Sequence, residues 1–319
     1  MYGRQFLIVL LALLPVAAGA QGYPDRPVRL VVPFTPGASN DIIARLVGQK
    51  LGDSLGQQFV IDNRPGAAGS IGAETVAKSS PDGYTLLLAN PGPNINNVLL
   101  RKKPPYRVED FLPIVFIGYA PLIILANPAF PPKNAAELVE YARSNPGKVT
   151  WGSSGTGSSL HIGLALFQAA TGVKVIHVPY KGTNPALTDI IGGQINAMHT
   201  TTVSGETYIR SGRVKVLGSA SSKRLTLLPE VPTLAEQGIK DAEAIVWFGI
   251  AGPLGMPRAI VDKLNREVNR ILGLPDVKQR LDSLGLEVAG GTPAEFAAFL
   301  KREAERLRGL IRSGILQQD

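Results

Sequence analysis

From position 28 to position 288, short runs rich in Val, Ile and Leu alternate with segments whose apolar residues recur every three or four positions. The runs predict strands at 28–33, 58–62, 84–89, 114–117, 122–126, 148–152, 174–178, 194–198, 214–219, 244–251 and 286–289. Most are continuously apolar rather than alternating, as strands buried on both faces are, which points to parallel pairing. Helical segments intervene, so the predicted class is α/β with doubly wound sheets. In 41–55 the apolar set Ile42, Ile43, Leu46, Val47, Leu51 and Leu55 marks one helix face laid on a sheet. Asn134 with Glu137, Thr233 with Glu236, and Thr292 with Glu295 read as capping pairs, with Pro293 at a first helical position. Pro185, Pro257 and Pro275 are further helix starts; Gly172, Gly192, Gly273, Gly285 and Gly314 are helix ends. Extended runs flanked by small residues at 118–122 and 216–221 are the places where a chain could cross between two lobes.

Two glycine-rich turns stand out against this pattern, at 36–40 and at 152–159. Each follows a strand and leads into a helix. Such a turn leaves backbone N–H groups unpaired at the positive end of the helix dipole, where an anion can be held. Three more loops follow strands in the same way: 66–70, 178–182 and 200–202. Ligands of open α/β sheets sit beyond strand carboxyl ends. Five donor-rich loops nearly free of acids, shared between two halves, predict a cleft that closes on a small anion.

The first twenty residues read as a leader: Arg4, then an apolar stretch over 6–16, then Ala18-Gly19-Ala20 as a cleavage site. The stretch is short for a membrane span. Removing 20 of the 319 residues leaves 299, enough for two lobes. Arg4 is the leader's one charged residue, so the net charge of +8 falls to +7, which favours anionic ligands. The absence of Cys excludes thiol catalysis and thiolate metal sites, and a secreted chain without it relies on packing. No basic and aromatic stripe suggests a nucleic-acid partner.

Enzyme motifs fall short. Gly152-Ser153-Ser154-Gly155-Thr156 lacks the last glycine of a nucleophile elbow. Over 152–159, Ser158 stands where a P-loop needs Lys, and Leu160 where a dinucleotide fingerprint needs its third Gly. His161, His177 and His199 have no metal-ligand spacing. His177 fits a structural role, and His161, in the first turn of its helix, a place in the pocket. Trp247 and Phe248 read as core strand, though their packing, with that of Phe34 and Tyr180, bears on pocket volume.

Six ordered blocks carry a resemblance over nearly the whole mature chain: YPDRPVRLVVPFTPGASNDIIAR, NRPGAAGSIGAETVAKSSPDGYTLL, WGSSGTGSSLHIGLALF, VPYKGTNPALTDIIGGQINAM, LPEVPTLAEQG and WFGIAGPLGMP. The chain resembles the substrate-binding proteins of the tripartite tricarboxylate transporters, the Bug family. The resemblance implies a type II, Venus-flytrap periplasmic binding protein fold: two lobes, each a mostly parallel sheet flanked by helices, with two chain crossings. The implied division is a signal peptide over 1–20, lobe one over 21–119 and 220–319, and lobe two over 120–219. It further implies a periplasmic, monomeric protein with no enzyme activity and no cofactor, which hands a small carboxylate to integral-membrane permease subunits. The alternatives are a periplasmic sensor that signals to a membrane regulator and, from another class, a secreted esterase using Ser154. Carried onto this sequence, the first lobe offers Phe34, Thr35, Gly37, Ala38, Ser39, Asp41, Ala68, Gly69 and Asn90. The second offers Ser153, Ser154, Gly155, Thr156, Gly157, Ser158, His161, Tyr180, Lys181, Gly182, Thr200 and Thr201. The sequence departs from the family at Ala38, usually Gly, where a Cβ restricts positive φ, and at Thr200, usually acidic. Thr cannot pair with an amino group, so cationic and amino-acid ligands are expected to be disfavoured.

Overall fold

The computed structural model describes residues 22–318; the leader lies outside them. The strands are β1 (Val28–Val32), β2 (Phe59–Asn63), β3 (Thr85–Ala89), β4 (Phe111–Ala126), β5 (Thr150–Ser153), β6 (Ile176–Pro179), β7 (Ala197–Thr201), β8 (Lys215–Ser219), β9 (Ile245–Pro253) and β10 (Glu287–Val288). The helices are α1 (Ser39–Leu55), α2 (Ser70–Ala77), α3 (Asn97–Leu100), α4 (Ala135–Ser144), α5 (Ser159–Thr171), α6 (Thr183–Ile191), α7 (Thr202–Arg210), α8 (Arg258–Leu272), α9 (Pro275–Ser283) and α10 (Pro293–Arg312). The strand path runs β2-β1-β3-β9-β4-β7-β5-β6, with β8 and β10 also on β4.

Two sheets meet on β4. Its residues 111–121 pair with β9, while its residues 122–126 pair with β7 and β8. The segments 114–117 and 122–126, expected as separate strands, are thus one strand of 16 residues. Gly118 and Pro121 suggest a break to the eye, but Gly118 serves a close approach: a Cβ there would lie 2.2 Å from the carbonyl oxygen of Glu287 on β10. The parallel order holds for β2-β1-β3 and for β6-β5-β7. Strands β4, β8, β9 and β10 add antiparallel pairs between and beside these wings.

Where the chain crosses, three backbones are bonded together. Leu122 N–H donates to Ala244 O (2.9 Å), Ala244 N–H to Ala220 O (3.0 Å), and Ala220 N–H to Leu122 O (2.8 Å). Between Ala220 and Ala244 the chain stays beside the second sheet: Thr233 bridges to Ser219, and Gln237 Oε1 accepts from Ala135 N–H at 2.7 Å. The passage back to the first sheet therefore comes at Ala244 and Ile245, not within 216–221, because residues 221–243 form a loop that folds onto the lobe it has just left.

Both faces of the first sheet are buried, which is why its strands read as continuous apolar runs. On one face Leu30, Val32, Leu86 and Leu88 pack with Ile43 and Val47 of α1 and Leu264 and Val268 of α8. On the other, Val31, Leu87 and Trp247 pack with Val76 of α2 and Phe296 and Leu307 of α10. Trp247 and Phe248 are fully buried in the core. The caps at Asn134 and Thr292 form with their glutamates. Thr233 and Glu236 exchange the same two bonds around a turn too short to be a helix. Helix α6 begins two residues before Pro185, after Gly182.

Candidate functional site

Between the sheets lies a narrow cleft. Its polar wall is made of helix beginnings: Ser39 and Asn40 of α1, Ser159 of α5, Thr183 of α6, and Thr201 and Ser204 at the start of α7. Each helix N-terminus carries roughly half a positive elementary charge in its unpaired N–H groups, and four of them converge here. Phe34, Leu160 and Val246 give the cleft an apolar side, and Asn90, Ser154 and Thr200 complete it. Among the described residues that line it, none carries a charge. A carboxylate placed here would be held by amides, hydroxyls and dipoles.

The hydrogen bonds decide which groups remain for a ligand. Ser158 and Thr201 act as caps, accepting from His161 N–H and Ser204 N–H at 3.3 Å each, which leaves the donor side of each hydroxyl to other partners. Asn90 donates to Asn40 Oδ1 (3.2 Å), which turns the Asn40 NH₂ group outward as the donor end. The hydroxyls of Ser159 and Thr200 are buried and unpaired within the protein. A buried hydroxyl without a partner costs about 1–3 kcal/mol, so two of them on one cleft call for a ligand or water.

Of the residues singled out from the sequence, Phe34, Ser39, Asn90, Ser154, Thr200 and Thr201 line the cleft. Others bring the lobes together at its rim. The Gly182 backbone lies against the Thr35 side chain, Gly155 against Ala68, and Gly157 against Asn97. Asn184 donates to Pro36 O (2.6 Å), and Ser39 N–H donates to Ser204 Oγ (3.0 Å), so the lobes are closed on each other. Gly37, Ala38 and Asp41 form the first turn from behind. Asp41 accepts from Gly37 N–H, Arg45 Nε and Asn63 Nδ2. Burial would raise its pKa, but these donors and the Arg45 charge hold it below the usual carboxylate range. Its acceptor capacity is filled, so Asp41 shapes the turn and leaves the cleft to Asn40. Gly69 precedes the first residue of α2. Thr156 and Lys181 are exposed.

Ser153 and the histidines form a network under the second turn. Ser153 Oγ lies 2.6 Å from His177 Nε2 and accepts from Gly155 N–H. His161 stacks on His177 with ring centroids 4.4 Å apart, and its Nδ1 accepts from Gly157 N–H at 3.3 Å. Burial, then the nearby His161 charge, pulls His177 down to about 4. The Ser153 and His177 pair resembles half of a catalytic triad, but Ser153 is fully buried and tied to its own loop. Tyr180 is turned away, donating to Asp189 at 2.6 Å; burial and then that carboxylate raise it to about 12.

Leu160, Thr183, Ser204 and Val246 line the cleft without having been singled out, as do Asn40 and Ser159 at the ends of the two glycine-rich turns. Asn40 and Ser159 are the last residues of the glycine-rich turns at 36–40 and 152–159, which singled out both segments though not these two residues by themselves. Val246 depends on where β9 passes the crossing, which no local motif records.

Over residues 43–315 the chain matches the family described as the tripartite tricarboxylate transporter family receptor. It is 39% identical over 292 residues to a protein encoded in the tcbD–tcbE intergenic region of Pseudomonas sp. strain P51, covering 91% of this chain and 86% of that protein. Among solved structures it is similar to the periplasmic binding protein BugD, with TM-score 0.89 and 35% identity, covering 93% of this chain and 100% of BugD. It is also similar to MatC from Rhodopseudomonas palustris with bound malate, with TM-score 0.87 and 34% identity over 91% of this chain and 100% of MatC.

Proposed function

Because this chain belongs to the tripartite tricarboxylate transporter receptor family, we propose that it is a periplasmic trap for a small organic carboxylate, delivered to a membrane permease. The observation that carries this reading is the uncharged cleft on which four helix N-termini and the unpaired Ser159 and Thr200 hydroxyls converge. The malate held by MatC supports the ligand class. Lobe one would comprise residues 22–119 and 245–318, and lobe two residues 120–244. Phe34, Ser39, Asn40, Asn90, Ser154, Ser159, Thr183 and Thr200 would touch the ligand. Thr35, Gly155, Gly157 and Gly182 would set the fit of the closed rim. Capture on one lobe followed by hinge closure shifts the population toward the closed form, and only differential affinity for that form drives the shift.

The reading is tested by titrating the purified mature chain with three- to six-carbon mono- and dicarboxylates, matching amines and α-amino acids. A fitting carboxylate at 100 times its Kd raises stability by about 2.7 kcal/mol. Amino acids bind more weakly, since Thr200 offers no charge to an ammonium group. Thr200→Val keeps the shape and removes the hydroxyl, and is expected to weaken binding about tenfold, a hydrogen bond to a charged group contributing roughly 1.5–3 kcal/mol. No response to any carboxylate, or tight binding of an amino acid, overturns the corresponding part. The chain is expected to do no bond chemistry: an ester panel gives no turnover, with or without Ser154→Ala.

A further inference from the structure

A second, small cavity lies beside the cleft, between the second lobe's α5 and the first lobe's β9 and α10. Ser159 lines both cavities, and the hinge strand runs past both, Val246 facing the cleft while Ile245 and Trp247 face the neighbouring space. Ile95, Ile162, Leu166 and Leu307 give the wall an apolar side, and Ser159, Glu303 and Arg306 a polar one. Two further donors belong to lining residues, Trp247 Nε1 and Asn96 Nδ2, both buried and unpaired within the protein. Trp247 is fully buried and Asn96 is 5% exposed. Trp N–H has no alternative role as acceptor, and an unmade buried donor loses its hydration without compensation. Three such groups on one small cavity, with Ser159 as the third, describe a place for an acceptor.

We propose that the ligand cleft continues past Ser159 into this cavity, and that the cavity receives an uncharged hydrogen-bond acceptor, a carbonyl or hydroxyl, at the far end of the bound carboxylate. The inference rests on the carboxylate-trap reading above. Charge decides against a second carboxylate there. Glu303 lines the same cavity, and its nearest cation, Arg306, is already engaged: its Nη1 lies 3.8 Å from Glu303 Oε2 and its Nη2 donates to Glu243 O at 3.2 Å. Burial holds the Glu303 carboxyl above the usual range, against the pull of Arg306 and Arg302. An incoming anion would meet the Glu303 carboxyl group and a guanidinium already shared with Glu303 and Glu243 O. The apolar residues between Ser159 and Trp247 suit the methylene chain that joins the ligand's two ends.

The experiment compares matched pairs by calorimetry: pentanoate with 4-oxopentanoate, hexanoate with 5-oxohexanoate, and adipate as the doubly charged arm. The unmodified chain is expected to bind at least one oxo acid tenfold or more tightly than its plain counterpart, and more tightly than adipate. Trp247→Phe removes the N–H together with the five-membered ring, and is expected to bring that ratio to within threefold of one. Asn96→Leu provides a second variant should Trp247→Phe not fold. Equal binding of each pair, a ratio untouched by both variants, or preference for adipate overturns the inference: the cavity then holds only water or a different end group. Failure of every acid to bind would instead overturn the carboxylate reading itself.

Discussion

At the first glycine-rich turn the backbone needs a left-handed residue at one position only. Gly37 supplies it, with φ of +77°, while Ala38 sits at φ −77° and ψ 165° as the residue before α1. The methyl group of Ala38 is buried and strains nothing, so the departure at 38 changes packing and not backbone geometry. At Thr200 the departure lies on the cleft itself, among the residues that line it. One residue earlier, His199 is fully buried between Trp151 and Phe167, with neither ring nitrogen hydrogen-bonded. Burial lowers its pKa to about 3, and His177 falls to about 4. Both bind protons more weakly folded than unfolded, where the ordinary value is about 6.5. Stability is therefore full above about pH 6.5 and is lost as pH falls toward 4, by roughly 1 kcal/mol per pH unit for each histidine. Urea unfolding at pH 7 and pH 4.5 measures this loss. His199→Leu is expected to shrink it by about half, and an unchanged slope would show that other groups set the acid sensitivity.

The elements were legible where burial dictates pattern. The continuous runs of β1 and β3 and the one-sided periodicity of α1 followed from covered sheet faces. Helix starts at Asn134 and Thr292 followed from reciprocal caps. What stayed hidden was set by distant chain: β4 runs unbroken through 118–121 because Ile245 to Phe248 of β9 pair with it there, and β10 flanks it at Gly118 and Tyr119. The loop at 66–69 is a further case. All four of its residues have positive φ, including Ala67 (+47°) and Ala68 (+51°). Left-handed geometry costs an alanine roughly 1–2 kcal/mol. Ala68 stays because its methyl meets Gly155 across the rim, whereas Ala67 is exposed. Ala67→Gly is expected to stabilise the protein by up to about 1 kcal/mol, the relief being partly offset by the freer unfolded chain. A lower melting temperature in that variant would mean that the loop relaxes in solution.

For the molecule as a whole, closure is a matter of backbone touching side chain. Gly182 is extended, and a Cβ on it would lie 2.7 Å from Thr35 of the other lobe. Gly182→Ala therefore disturbs the closed rim and neither lobe's interior. It is expected to weaken carboxylate binding about tenfold with little change in the melting temperature of the ligand-free protein. A large loss of that stability, or unaltered affinity, would show that the rim contact does not govern closure. The lobes are nevertheless not two independent bodies. Residues 111–121 of β4 belong to one sheet and 122–126 to the other, and the bonds among Leu122, Ala220 and Ala244 tie all three passing backbones. Neither half can melt without stripping a strand from its neighbour. Calorimetry is thus expected to record one cooperative heat-absorption peak, and amide hydrogen exchange at Leu122, Ala220 and Ala244 should be among the slowest in the chain. A hinge that bends on every catch would be the last part of the protein to come undone.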